Sequence, residues 1–306
     1  MNLEPINQTN LYGLCSYLDE LICLYNKKKL PNKILISGQK GIGKSTLAYH
    51  LINYILSESE DLAYDLENYT INKDNKDFRL IQNSSNPNFD LIDILPEKKS
   101  IDIEQIRDLI KNINKSSFNQ KPRFILIDNT ENLNVNSVNA LLKSLEEPNN
   151  NIFFILISNQ KKIFPTLKSR CLEFKISLNN SRSLDVLNKI LENDIEEYIN
   201  KDLINYYFTP GNIYKLIRFS IASKLDLTKI NLSEFIKIIV EKSLYKNDQL
   251  IKPIIYEYVE FFLAHKFSID KFKYRKYLIN KINDIKRYNL DEESFFIEFE
   301  NVMLNG

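Results

Sequence analysis

Cysteine and histidine are scarce in this chain. Its 306 residues include three cysteines, Cys15, Cys23 and Cys171, and two histidines, His50 and His265. Cysteines so few and scattered argue against a disulfide framework or a zinc site, and histidines so far apart suggest no metal centre. Charge of one sign is lacking too. With 41 Lys and Arg against 40 Asp and Glu the formal net charge is +1. That balance gives no electrostatic case for tight nucleic-acid binding by this chain alone. Lys27 to Lys29, or Lys161 and Lys162, leave room for a local basic face, although short lysine runs are ordinarily solvated surface. No apolar run approaches the ~18 residues of a membrane span. The start, MNLEPINQTNLYG, has neither the basic nor the apolar segment of a secretory signal. A cytoplasmic, reduced protein with no membrane partner is the expectation. Its length suffices for two or three domains with at least one sizeable core.

Glycine is rarer than usual, and its placement is informative. Three of the six glycines fall at Gly38, Gly41 and Gly43, inside Gly38-Gln39-Lys40-Gly41-Ile42-Gly43-Lys44-Ser45. A short apolar strand, Ile34 to Ile36, precedes this segment. A helical pattern with Leu47, Ala48, Leu51, Ile52 and Ile55 on one face follows it. That is the G-x-x-x-x-G-K-[ST] phosphate loop in its confirming context, between a buried strand and a helix. Glycines let the backbone turn tightly so that N–H groups point at a polyphosphate, and the helix N-terminus adds its positive end. Candidate nucleotide contacts are Gly38, Gly41, Ile42, Gly43, Lys44, Ser45 and Thr46. Lys44 is expected to reach the outer phosphates and the Ser45 hydroxyl to ligate Mg²⁺.

Strands and helices then alternate. FDLIDIL (Phe89 to Leu95), Phe124 to Ile127, Ile152 to Ile157 and Leu172 to Ile176 read as strands, and the central ones are continuously apolar. Between them, helices are expected from Ser100 and over Asn136 to Glu147, the latter stopped by Pro148. This pattern predicts an α/β fold, a parallel sheet covered on both faces. Ser57 to Ser85 is polar and reads as a helix tail and surface excursion. After about residue 178 the strand signal disappears. A helical segment broken at Thr209-Pro210-Gly211 follows, then further helices, one with Asn231 and Glu234 as a capping pair and a last one carrying Phe295, Phe296, Phe299, Val302 and Met303.

A phosphate loop needs a second acidic group for Mg²⁺ at the end of a neighbouring apolar strand. Asp128 is that candidate. The carboxylate that polarises an attacking water commonly follows directly, but here that residue is Asn129, which accepts no proton from water. Glu131, two positions further, is expected to point elsewhere. Ser158 and Asn159 end the next strand, where a polar side chain senses the γ-phosphate or is simply loop polarity. Arg170, in Ser169-Arg170-Cys171 on an exposed turn, reads by spacing alone as a surface salt bridge. It is also of the right type to stabilise charge in a neighbouring subunit's site.

The stretch from Asn139 to Cys171, NALLKSLEEPNNNIFFILISNQKKIFPTLKSRC, resembles the clamp-loader branch of the AAA+ ATPases. Its Leu-Glu-Glu-Pro helix end (145–148) and its Ser-Arg-Cys motif (169–171) are the specific marks. KLPNKILISGQKGIGKSTLA (29–48), Asn86-Pro87 and KKSIDIEQIRDLI (98–110) support it. Within that branch the similarity is to bacterial DNA polymerase III delta-prime subunits. It covers roughly residues 1–178 and, weakly, 205–220.

The resemblance implies an AAA+ nucleotide-binding domain (1–178), a helical lid (179–222) and a C-terminal helical collar domain (223–306). It further implies ATP and Mg²⁺, and a hetero-pentamer with motor and delta-type subunits that loads a sliding clamp onto primed DNA. In that context Arg170 becomes a finger acting in trans from a stator-like subunit. The four-cysteine zinc module of many relatives is not expected, because 57–85 contains no cysteine. Asn129, and Thr209-Pro210-Gly211-Asn212 where motor subunits carry a lid arginine, favour the stator over the alternative, an ATP-hydrolysing motor subunit.

Overall fold

The apolar strands pair as a parallel sheet. In the computed structural model, which describes residues 3–113, 120–146, 151–159, 163–204, 208–246, 251–265, 272–288 and 290–301, five strands lie in one sheet. They are β1 (Lys33–Ser37), β2 (Phe89–Ile92), β3 (Arg123–Ile127), β4 (Ile152–Ser158) and β5 (Leu172–Lys175). Their order is β2-β3-β4-β1-β5 and every pairing is parallel. β1 is therefore internal, with Ile34 opposite Ile155 on one side and Leu172 on the other.

Because side chains alternate along a strand, the apolar runs feed two cores. Ile34, Ile36, Phe124, Leu126, Ile155 and Ile157 face a cluster built with α1 (Cys15–Asn26) and α2 (Lys44–Ser57). Leu35, Ile125, Ile127, Phe154 and Leu156 face a second cluster built with α4 (Ile103–Ile113) and α5 (Val135–Glu146). Burial on both faces explains why these strands read as continuous hydrophobic runs.

The segment expected to be a helix tail and surface excursion also contains α3 (Lys76–Gln82). Asn75 caps it, accepting from Phe78 N at 2.8 Å, and Ile71, Phe78 and Ile81 join the first core. Lys121 ties this segment to the sheet through Glu60 (3.1 Å) and Asp77 (2.9 Å). Its sequence gave little periodic signal because burial falls on only a few residues between polar turns. β2 is also shorter than FDLIDIL, ending at Ile92.

The chain divides into two compact units, Met1–Arg182 and Ser183–Gly306. After α6 (Pro165–Lys168) and β5, the described residues are helical: α7 (Asn180–Leu191), α8 (Lys201–Ile204), α9 (Pro210–Ala222), α10 (Leu232–Glu241), α11 (Lys252–His265), α12 (Phe272–Tyr288) and α13 (Glu293–Phe299). The break expected at Thr209-Pro210-Gly211 falls where α9 starts, with proline in the first turn. The expected capping pair is present: Asn231 accepts from Glu234 N at 3.0 Å while Glu234 accepts from Asn231 N at 2.9 Å. A single apolar cluster runs from Leu187 to Phe299. At its centre Tyr258 stacks on Phe208 and donates to Leu203 O at 2.8 Å. Pro148, Lys161, Lys162, Val302 and Met303 lie outside the described residues. Among the described residues no helix is long and apolar enough to cross a membrane.

Candidate functional site

Parallel pairing brings the carboxyl ends of the strands to one edge of the sheet. Ser37 pairs with Ser158, Ile127 with Leu156, and Ile92 with Ile127. The residues that follow, Gly38, Asn159, Asp128 and Asp93, therefore gather beside the start of α2. Open α/β sheets present their ligand crevice at this edge.

The loop from β1 to α2 has the shape that a polyphosphate needs. Gly41 (φ 88°) and Gly43 (φ 92°) are left-handed, which only glycine adopts without strain. A Cβ at Gly38 would lie 2.3 Å from the main-chain oxygen of Ile176 and 2.9 Å from Ile42 Cδ1. Lys44, only 4% exposed, donates to Gly38 O (2.9 Å), Gln39 O (2.6 Å) and Asn159 Oδ1 (2.9 Å). Burial lowers its pKa to about 8, partly offset by the Asp128 and Glu131 carboxylates. A desolvated ammonium held by three uncharged acceptors, at a helix N-terminus, fits an anionic ligand.

Ser45 Oγ donates to Asp128 Oδ2 at 2.5 Å. Burial raises the Asp128 pKa, and the Ser45 bond works against that shift. A hydroxyl and a strand-end carboxylate side by side form a hard oxygen pair of the kind Mg²⁺ takes. Thr46 sits in the first turn of α2, and Ile42 is buried beneath the loop. Ser158 joins the site through its main chain, its carbonyl accepting from Gly38 N at 3.3 Å.

Two further acidic residues complete the arrangement: Asp93, which the sequence had not singled out, and Glu131, which it had set aside. The expectation that Glu131 points elsewhere is corrected. Asn129 takes a left-handed conformation (φ 51°), and the 3-10 turn Thr130–Asn132 folds the chain back. Glu131 Oε1 accepts from Asn159 Nδ2 at 3.0 Å and its Oε2 from Asn159 N at 3.3 Å. Asn159 Nδ2 also donates to Asn129 Oδ1 (3.0 Å), and Asn129 Nδ2 donates to Asp93 Oδ1 (2.8 Å). A chain of hydrogen bonds thus runs from Lys44 through Asn159 and Asn129 to Asp93. The acidic alternation in FDLIDIL was the only sequence signal for Asp93. Glu131 was weighed for its nearness to Asp128, but a sequence offset of two does not foretell a left-handed residue that turns it back.

Arg170 lies apart from this pocket, on the turn after α6. Its Nε and Nη2 donate to Glu146 Oε1 at 3.0 and 2.6 Å, and its Nη1 donates to Thr166 O at 2.9 Å. The surface salt bridge read from spacing is present, and the Arg170 side chain stays 34% exposed.

The DNA polymerase III subunit delta' of Pseudomonas aeruginosa is 32% identical over 140 residues, which is 45% of this chain and 41% of that protein. The subunit delta' of Buchnera aphidicola (strain Sg) is 26% identical over 94% of this chain and 84% of its own length. The subunit tau of Escherichia coli is 28% identical over 65% of this chain and 28% of its own. Among solved structures, a DNA polymerase III gamma subunit-related protein of Thermotoga maritima aligns over 92% of this chain and 97% of its own, at 17% identity and a TM-score of 0.47. The profile described as DNA polymerase III, delta subunit, matches residues 16–180, more than half of the chain and the whole of the sheet with its phosphate loop and arginine turn. The chain belongs to the DNA polymerase III delta subunit family.

Proposed function

We propose that this chain is a stator-like, delta-prime-type clamp-loader subunit that binds ATP with Mg²⁺ and lends Arg170 to a neighbouring motor subunit. The observation that carries the reading is Asn129. At the position where a water-polarising carboxylate is expected stands an amide already engaged by Asp93 and Asn159. The binding half of the site is complete, while the water-activating half is replaced by a hydrogen-bonded amide.

In this reading Gly38 to Thr46 wrap the phosphates, Lys44 exchanges its neutral acceptors for phosphate oxygens, and Ser45 with Asp128 would hold Mg²⁺. When bound, the ion would supply charge neutralisation for the phosphoryl oxygens. Asn159, released from Lys44, is positioned to report the γ-phosphate to Glu131. Arg170 acts elsewhere, on charge that develops in the neighbour's site. The partners are motor and delta-type subunits in a hetero-pentamer, and through it a sliding clamp and primed DNA. The cytoplasm is the compartment. Residues 1–178 form the AAA+ domain, 179–222 the lid and 223–306 the collar domain.

Glu131 favours a second reading, an ATP-hydrolysing motor subunit in which this carboxylate stands in for the missing base. Equilibrium binding and steady-state hydrolysis by the purified chain, with and without Mg²⁺, separate the two. Binding without turnover supports the stator, and clear turnover that Glu131→Gln removes supports the motor. In the reconstituted complex, Arg170→Ala lowers DNA-dependent ATP turnover if the finger is donated in trans. Unchanged turnover rules the finger out.

A further inference from the structure

Arginine offers five N–H donors in a rigid planar fork, and in this chain Glu146 takes one edge of that fork. A single carboxylate oxygen, Oε1, accepts from both Nε and Nη2 of Arg170, at 3.0 and 2.6 Å. Thr166 O takes Nη1 at 2.9 Å, and Ser169 Oγ stands at 3.4 Å from the same nitrogen. Three different pieces of chain meet here: the last residue of α5, the first turn of α6, and the turn that carries Arg170. Each alone constrains little. Together they fix both the plane of the guanidinium and the direction of its outer corner, where Nη1 and Nη2 still hold N–H groups to spend.

We propose that Glu146 is a positioning residue for Arg170, orienting the guanidinium so that its terminal N–H groups face a phosphoryl oxygen supplied by a neighbouring subunit. This rests on the trans-finger reading above. Electrostatics makes the assignment to α5 meaningful. A carboxylate along the Nε edge raises no competition for the outer corner, because one oxygen accepts both bonds. It also holds a long side chain that would otherwise sample many rotamers on an exposed turn. Glu146 is itself 55% exposed in its side chain, so the pair contributes little to folding stability. Its value lies in the orientation of the fork, since catalytic groups misplaced by about an ångström lose large factors in rate.

The test uses the complete complex, reconstituted with motor and delta-type subunits, and compares wild type, Glu146→Gln, Glu146→Asp, Arg170→Ala and the double Glu146→Gln/Arg170→Ala. The expected result is a roughly three- to tenfold fall in kcat for DNA-dependent ATP hydrolysis in Glu146→Gln. KM for ATP stays unchanged, Glu146→Asp recovers part of the loss, and the double variant is no slower than Arg170→Ala. Wild-type turnover in Glu146→Gln alongside a slow Arg170→Ala overturns the positioning role and leaves the finger standing. Wild-type turnover in Arg170→Ala overturns the finger itself, and the inference with it. Faster turnover in Glu146→Gln means that the carboxylate restrains Arg170 rather than aiming it, which also overturns the proposal. So does loss of complex assembly on gel filtration, because the α5 end would then act as a structural contact.

Discussion

Asn159 Oδ1 accepts a hydrogen bond from Lys44 Nζ at 2.9 Å, while the same side chain donates to Glu131 and Asn129. One amide thus joins the phosphate-loop cation to the Glu131 carboxylate and the Asn129 amide, both in the turn after β3. With Gly38 O and Gln39 O, it satisfies all three donors of the lysine. Any anion entering the loop has to displace these neutral acceptors.

Lys44→Met is expected to abolish nucleotide binding, since an apolar side chain of similar length offers the phosphates no charge. Wild type should show a rise in Tm with ATP and Mg²⁺ of the size set by ligand concentration over Kd. The variant should show none, at an apo Tm within a few degrees of wild type. A ligand-dependent Tm shift that survives in Lys44→Met would contradict the site.

Nucleotide affinity should fall above about pH 8. Burial holds the Lys44 pKa at about 8 rather than 10.5. Bound phosphates would raise it again, so the bound state holds more protons than the free state above pH 8. By linkage, affinity is full below that pH and weakens by up to about tenfold per unit above it. Calorimetric titration between pH 7 and 9.5 measures this, with proton uptake on binding as a second readout.

Asp93 and Asn129 should behave as a coupled pair. Asn129→Glu puts a carboxylate where the amide donated to Asp93 Oδ1. It also places a residue less suited than asparagine at φ 51°. The single variant is expected to lose about 1–3 kcal/mol of stability. Asp93→Asn/Asn129→Glu restores one donor and one acceptor and should recover about 1 kcal/mol of that loss. Urea unfolding of the four proteins gives the coupling directly, and additive losses would show that the two residues do not interact energetically.

His50 should set part of the acid limb of stability. It is fully buried on α2, its Nδ1 2.8 Å from Tyr64 Oη, and burial lowers its pKa to about 4, with the Gln8 backbone opposing. The unfolded chain takes the proton near pH 6.5 and the folded chain does not until about pH 4. Stability from this group is therefore complete above 6.5 and is lost as pH falls toward 4, by roughly 3 kcal/mol. Chemical denaturation from pH 7 to 4 should show a shallower decline in His50→Leu than in wild type.

Much of the site was written locally. Gly38 to Ser45 encode the loop because the left-handed turns at Gly41 and Gly43 need glycine, and the flanking apolar runs encode strand and helix. Asp128 was legible as the polar end of an apolar strand. The sequence alone thereby determined the parallel α/β class, the phosphate loop and the arginine turn, since each depends on residues within a few positions of one another. Tertiary structure decided the rest. Strand order placed Asp93 beside Asn129, 36 residues away in sequence. A left-handed asparagine returned Glu131 to Asn159, and the packing of α5 against α6 brought Glu146 to Arg170. Such contacts depend on register and on the path of the chain in space, and local side-chain periodicity carries no record of either.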